Sequence, residues 1–375
     1  MTAASGSYDI EAAATEALAE ILREIAADPA QRVYAIIDGA HFENLPRKLR
    51  NAGLRHLSLY PKVADRSLVM TGHWLVDPYH ALPEETETDD GPEDDVLSDE
   101  ALEALAAYYA QEMKDKTDAG DEALVASPAS TADATAQMEA LLAIVSSTPG
   151  AVFWAGDASL SEESLYRHLR TINKILIPRK GAEDAIGEEY GHEMVLFRHG
   201  DANVMAQFLP ALDKPQLSRL FGPATQILFT PENNWGGRVK RAVRADDLPK
   251  APTGPLRIDS EAMRAISACR MTASRRKIMT YLRKVAPDET KGLDDEALHK
   301  RVFEFEQSGR ELGLRSERAH GKWAYLMLST DGEFGQGEPV REALTQAKGG
   351  NADRALDRIM NIMVKLEKND RGGPA

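Results

Sequence analysis

The amino-acid sequence predicts an α/β (α+β) N-terminal domain with a mixed sheet, followed by an all-α C-terminal helical bundle. Short β-prone runs closed by turn dipeptides alternate with helical stretches from Arg32 to Phe229. Pro249, Pro252, Gly254 and Pro255 then crowd into one short segment that breaks both helix and strand. Beyond it the apolar stripes have helical spacing. The chain therefore divides into an N-terminal helix over 1–31, an α/β domain over 32–248 with an acidic insertion at about 80–148, a Pro/Gly linker at 249–256, a helical domain over 257–368 and a disordered tail over 369–375.

Ile10, Ala14, Leu18, Ile21, Leu22 and Ile25 recur at helical spacing, so residues 9–27 form a helix with one apolar face, ended by Asp28–Pro29. Arg32 to Ile37 reads as a strand that stops at the turn dipeptide Asp38–Gly39, ahead of a helical stretch from Phe42 to Asn51. Two further strands, His56 to Tyr60 and His73 to Val76, close at Pro61 and at Asp77–Pro78. Residues 84–103 hold 11 acidic residues and no Lys or Arg, and their mutual repulsion marks a solvated insertion. Helical patches at Ser98 to Met113 and Thr135 to Val145 flank a stretch rich in Ala, Ser, Thr and Asp.

Ala151 to Trp154 reads as a buried strand, and Ser159 and Glu162 stand in capping-box spacing ahead of Leu165, Leu169 and Ile172. Ile175 to Ile177 and Met194 to Arg198 are strands flanking a loop around Gly181 to Tyr190. Asp201 caps a helix bearing Val204, Phe208 and Leu209, and Thr225 to Phe229 is the last strand. After the linker, Ile258 and Met263 make a hydrophobic staple around an Asp259 cap. The stripes of the bundle follow: Ile278, Leu282 and Val285; Leu298, Val302 and Phe305; Trp323 and Met327; Leu356, Ile359, Met360, Met363 and Leu366.

At 375 residues, each domain can bury a core without covalent staples. The single Cys269 excludes an intramolecular disulfide and a Cys-rich zinc site, which fits a reducing cytosol. No basic segment followed by an apolar core opens the sequence, and no run approaches the ~20 apolar residues of a membrane span. The expectation is a soluble cytoplasmic protein without membrane contact. Residues 1–254 hold 23 Lys and Arg against 41 Asp and Glu, whereas residues 255–375 hold 22 against 19, so the net charge of −15 belongs to the front of the chain. That balance argues against duplex binding, which needs cations clustered on one face.

Catalytic and cofactor motifs are weak. Gly332, Gly335 and Gly337 follow no strand and lack the Lys-Ser/Thr of a phosphate loop. His192–Glu193 begins like a zinc-protease helix, but Leu196 stands where the second histidine belongs. Cys269 lies on a helix face, where a small buried side chain is the expectation. Asp38 with His41, or His199 with Asp201, makes an acid/base pair at a strand end conceivable, although Asp38 suits a turn and Asp201 an N-cap. Arg270, Arg275, Arg276, Lys277, Arg283 and Lys284 form a basic patch on one helix, without interleaved aromatics for base stacking.

The order of the pieces is more specific than any one of them. Val33 to His41 resembles the opening strand and Asp-Gly turn of the type VI secretion effector chaperones, also called VgrG-effector adaptors. Leu57 to Tyr60 is similar to that family's second strand, and Gly72 to Val76 to its next segment, with His73 where the family has proline. Val152 to Trp154 with Leu165 to Arg170, Val195 to Asp201, and Phe221 to Pro223 resemble later motifs in the same order. The resemblance covers about Val33 to Phe229. It implies a non-catalytic cytoplasmic chaperone that binds a type VI effector (a toxin protein) and promotes its loading onto the VgrG spike protein. It carries over no catalytic, metal or cofactor residues, and it identifies no partner-binding residue. The alternatives are a hydrolase using Asp38, His41, His199 or Asp201, and a nucleic-acid-binding module using the basic helix 270–284.

Overall fold

The computed structural model describes residues 3–60, 65–81, 131–146, 148–179, 191–347 and 351–371. The acidic run 84–103, the helical patch Ser98 to Met113 and the loop around Gly181 to Tyr190 lie outside the described residues.

The strand β1 (Gln31–Asp38) organises the first lobe because it is apolar on both faces and buried from Val33 onward. It pairs antiparallel with β3 (His73–Ala81) on one side and β4 (Ala151–Asp157) on the other. With β2 (Leu54–Ser58), β7 (Gln226–Phe229) and β8 (Lys240–Val243), the described strands form a six-stranded antiparallel sheet in the order β2-β3-β1-β4-β7-β8. Successive side chains of β1 separate two cores, as a pleated strand requires. Val33, Ala35 and Ile37 face α1 (Ala3–Ala27) and α4 (Thr131–Val145), with α2 (Leu45–Asn51) beside them. Tyr34 and Ile36 face the opposite layer, which contains α5 (Glu162–Ile172), α6 (Ala202–Phe208) and α7 (Lys214–Phe221). The short α3 (Arg66–Thr71) links β2 to β3.

Some local readings shift. β3 continues past Pro78 to Ala81, because the β2–β3 register slips between Leu54 and Arg55 and the irregularity absorbs the missing donor. The N-cap of α5 is Ser161 in a capping box with Ser164, two residues later than the Ser159 expectation; Ser159 instead bonds Asp157. Cys269 is partly exposed rather than buried.

A second sheet has the order β6-β5-β9, with β5 (Lys174–Pro178) antiparallel to β6 (His192–Leu196) and parallel to β9 (Leu256–Arg257). The end of the Pro/Gly segment is thus stitched to the first lobe, and Ile258 N also donates to Leu176 O at 2.8 Å. The helix α8 (Ser260–Val285) then belongs to both lobes. Its Ala262 and Ile266 are buried in the α/β core, and its Ile278, Met279 and Leu282 in the helical core. A helix of this length spans about 39 Å, so the connection between the lobes is a continuous strut.

The second lobe packs α9 (Pro287–Thr290), α10 (Asp295–Glu311), α11 (Glu317–Ser329), α12 (Glu338–Thr345) and α13 (Ala352–Arg371) around Trp323, which is fully buried. The indole N–H of Trp323 donates to Ser308 Oγ at 3.0 Å, so the one polar atom of the ring is satisfied. Of the basic patch on α8, Arg275, Lys277 and Arg283 pair with carboxylates of this lobe, while Arg276 donates to Asn234 O of the first lobe at 3.3 Å. Arg275 Nε donates to Glu306 Oε2 at 2.5 Å, Arg283 pairs with Asp295 at 2.6 Å and Lys277 with Glu317 at 3.0 Å.

Glu306 is 7 % exposed and also receives Arg310. Removing it strands the Arg275 guanidinium in a largely dry site. Glu306→Ala is expected to cost about 3 kcal/mol or more in urea unfolding, and Glu317→Ala, at the exposed pair, less than about 1 kcal/mol.

Candidate functional site

The residues singled out in the sequence converge at the C-terminal end of β1. Asp38 ends the strand: its side chain accepts from Ala40 N at 3.1 Å and opens a 3-10 turn over Gly39–His41. Gly39 is required by close approach, since a Cβ there would stand 2.2 Å from Met70 O. The turn sets His41 beside the segment between β6 and α6. That segment presents Arg198, His199 and Asp201, and Asp201 caps α6 by accepting from Asn203 N at 2.8 Å and Val204 N at 3.2 Å. Gly200 lets it lie against β1, since a Cβ would meet His73 at 2.9 Å and Asp38 N at 3.1 Å.

The ion pairs cross between the two segments. Arg198 Nε donates to Asp38 Oδ2 at 2.6 Å, and His41 Nε2 donates to Asp201 Oδ2 at 3.0 Å. Arg198 Nη2 lies 4.0 Å from Asp201 Oδ2, so the guanidinium spans both carboxylates. Behind this layer, the His73 and His199 rings lie 4.3 Å apart at 35°. His199 Nε2 donates to Asn173 Oδ1 at 2.9 Å, and Asn173 Nδ2 donates to Leu59 O at 2.8 Å.

Burial sorts the protonation states. Desolvation pushes His73 down to about 4 and His199 well below the ordinary histidine value, so both rings are neutral at pH 7. The hydrogen bond to Asp201 raises His41 against the opposing effect of burial. Burial alone would raise the Asp201 carboxyl, but the His41 bond and charge and two backbone N–H groups outweigh it and hold the group below its ordinary value.

Asp38, His41 and Asp201 each offer a ligand atom within 4.8 Å of the others, the grouping a cation would use. Arg198 already occupies that space as a cation, bonded to the Asp38 oxygen a metal would need. General acid/base work needs a base within reach of a substrate proton. The polar tips of His73 and His199 are buried, and Asp38 is answered by Arg198. The arrangement is suited to joining β1, β3 and the segment before α6.

All four sequence candidates, Asp38, His41, His199 and Asp201, meet here, with their partners exchanged: His41 bonds Asp201 rather than Asp38, and His199 bonds Asn173 rather than Asp201. Reasoning from the sequence missed His73 and Asn173 as members of the junction. The signal for His73 was its position, a polar residue opening an otherwise apolar strand where the resembling family has proline.

Residues 33–219 match the model of a family described as a domain of unknown function, DUF4123. The match opens in β1 and closes in α7, and it contains every residue of the junction. No curated protein and no solved structure matches the chain significantly. Among the described residues no helix is long and apolar enough to cross a membrane.

The buried histidines fix a pH dependence. A ring that is neutral when folded and titrates at about 6.5 when unfolded makes the unfolded state bind more protons below that pH, so stability falls as pH drops from about 6.5 towards 4. His73 alone contributes roughly 2–3 kcal/mol of that loss by pH 4.5. His41 acts with the opposite sign, since its stabilising bond is lost as pH rises through its raised value. His73→Leu is expected to flatten the fall in urea-unfolding free energy between pH 7.5 and 4.5, and His41→Gln, which removes the opposing contribution, to steepen it; an unchanged slope in His73→Leu contradicts the assignment.

Proposed function

We propose that this protein is a chaperone or adaptor of type VI secretion that holds a cognate effector in the cytoplasm and promotes its mounting on the VgrG spike. The observation that carries the reading is the DUF4123 match over residues 33–219 together with the order of the motifs inside it, which resembles the effector-chaperone family. The geometry is compatible with it: the motif residues Asp38 and Arg198 bond each other, and Asp201 caps α6 and receives His41. Recognition then falls to surfaces.

The helical lobe sets the choice of effector, and the α/β lobe makes the contact common to such adaptors. Support for this division comes from α13, where Ile362, Met363 and Val364 are 58 %, 40 % and 47 % exposed near the end of an amphipathic helix. Exposed apolar side chains of this size at a helix end suit contact with a partner protein. Because α8 is shared between the two cores, the test uses the full chain rather than separate lobes.

Co-purification with the toxin and spike proteins encoded beside its gene is the direct experiment. Ile362→Asp with Met363→Asp is expected to reduce effector retention about tenfold or more with an unchanged circular dichroism spectrum and unchanged spike binding. Full retention of effector by that variant contradicts the division of labour, and failure of the unmodified chain to retain either protein contradicts the adaptor reading itself.

A further inference from the structure

The outer face of the small sheet is a second surface with a definite chemistry. Ile175, Ile177 and Val195 turn inward onto the core. The register Lys174↔Leu196 and Leu176↔Met194 therefore sets the alternate residues on the opposite face. Met194 and Leu196 are 57 % and 49 % exposed, which places two large apolar side chains side by side on an edge strand. Single exposed apolar residues are ordinary, but a pair beside a cavity is not.

The cavity next to Met194 has a volume of about 470 Å³, with Tyr60 and Pro255 in its wall. Arg170, Lys174 and Arg219 also line it, and among the described residues no carboxylate does. Arg219 spends its donors on neutral groups only: Gly254 O at 2.9 Å, Thr171 Oγ1 at 2.7 Å and His168 Nδ1 at 3.4 Å. Three cations with no carboxylate among the described lining residues are conspicuous in a chain whose residues 1–254 carry 41 Asp and Glu against 23 Lys and Arg.

We infer that the outer face of β5 and β6 and the adjoining cavity dock an acidic, apolar segment of a partner protein, with its apolar side chains on Met194 and Leu196 and its carboxylates at Arg170, Lys174 and Arg219. Charge complementarity selects this occupant. A nucleic acid would be repelled by the net charge of −15 and would find no run of aromatics to stack on. The inference stands apart from the adaptor assignment, since a direct binding measurement on the isolated protein decides it.

The test is fluorescence anisotropy of the full chain with a labelled synthetic peptide alternating Leu and Glu, against a control with Gln for every Glu. The acidic peptide is expected to bind, and the Gln peptide to bind roughly tenfold more weakly. Arg170→Gln with Lys174→Gln is expected to weaken binding roughly fivefold, and Met194→Asp to abolish it. All three positions are on the surface, and unchanged thermal unfolding of these variants shows that the fold is kept. Binding that ignores Met194→Asp, or that the Gln peptide matches, overturns the inference. So does equal cation-dependent binding of single-stranded DNA, a shift from dimer to monomer caused by Met194→Asp, or binding seen only after deletion of residues 84–103, which would assign the face to a nucleic acid, a second copy or the chain's own acidic run.

Discussion

The Asp38 carboxylate is 1 % exposed, and a buried negative charge must be answered inside the fold. Its answer comes from Arg198, 160 residues away in sequence, through a 2.6 Å bond that closes the second layer over the end of the central strand. Once that bond is made, Asp201 is held where it caps α6 and receives His41, and Gly200 lies against His73. The stacked neutral histidines and the Asn173 bridge to Leu59 then fasten the same point to the strand end before α3. One ion pair thereby fixes the relative position of β1, β3 and the layer that carries the small sheet.

This explains why polar residues scattered through the sequence belong together. Asp38 with Arg198, and His41 with Asp201, bond one another across the two segments. Beyond the junction, α8 shares its length between the two cores and so joins the lobes through packed side chains.

Much of the fold was legible in the sequence where a local pattern decides it. The apolar run of β1, the strand over Ala151 to Trp154, the Asp201 and Asp259 caps and the stripes of the helical lobe follow from periodicity and capping chemistry. Long-range pairing decides the rest. β8 is short and mostly exposed, with the sequence Lys-Arg-Ala-Val, and becomes a strand only through its ladder with β7. β9 is two residues after a Pro/Gly run, legible as linker until β5 is beside it. At the site, the turn role of Asp38 and the cap role of Asp201 were readable locally, but their partners lie 160 residues apart and no spacing rule reaches that far.

A double-mutant cycle on Asp38 and Arg198 tests the central claim most directly. Unfolding free energies of Asp38→Asn, Arg198→Gln and the double variant are expected to give a coupling above about 1 kcal/mol, with partner binding retained in every variant that folds. Additive effects, with no coupling between the two positions, would contradict the account in which this bond closes the fold.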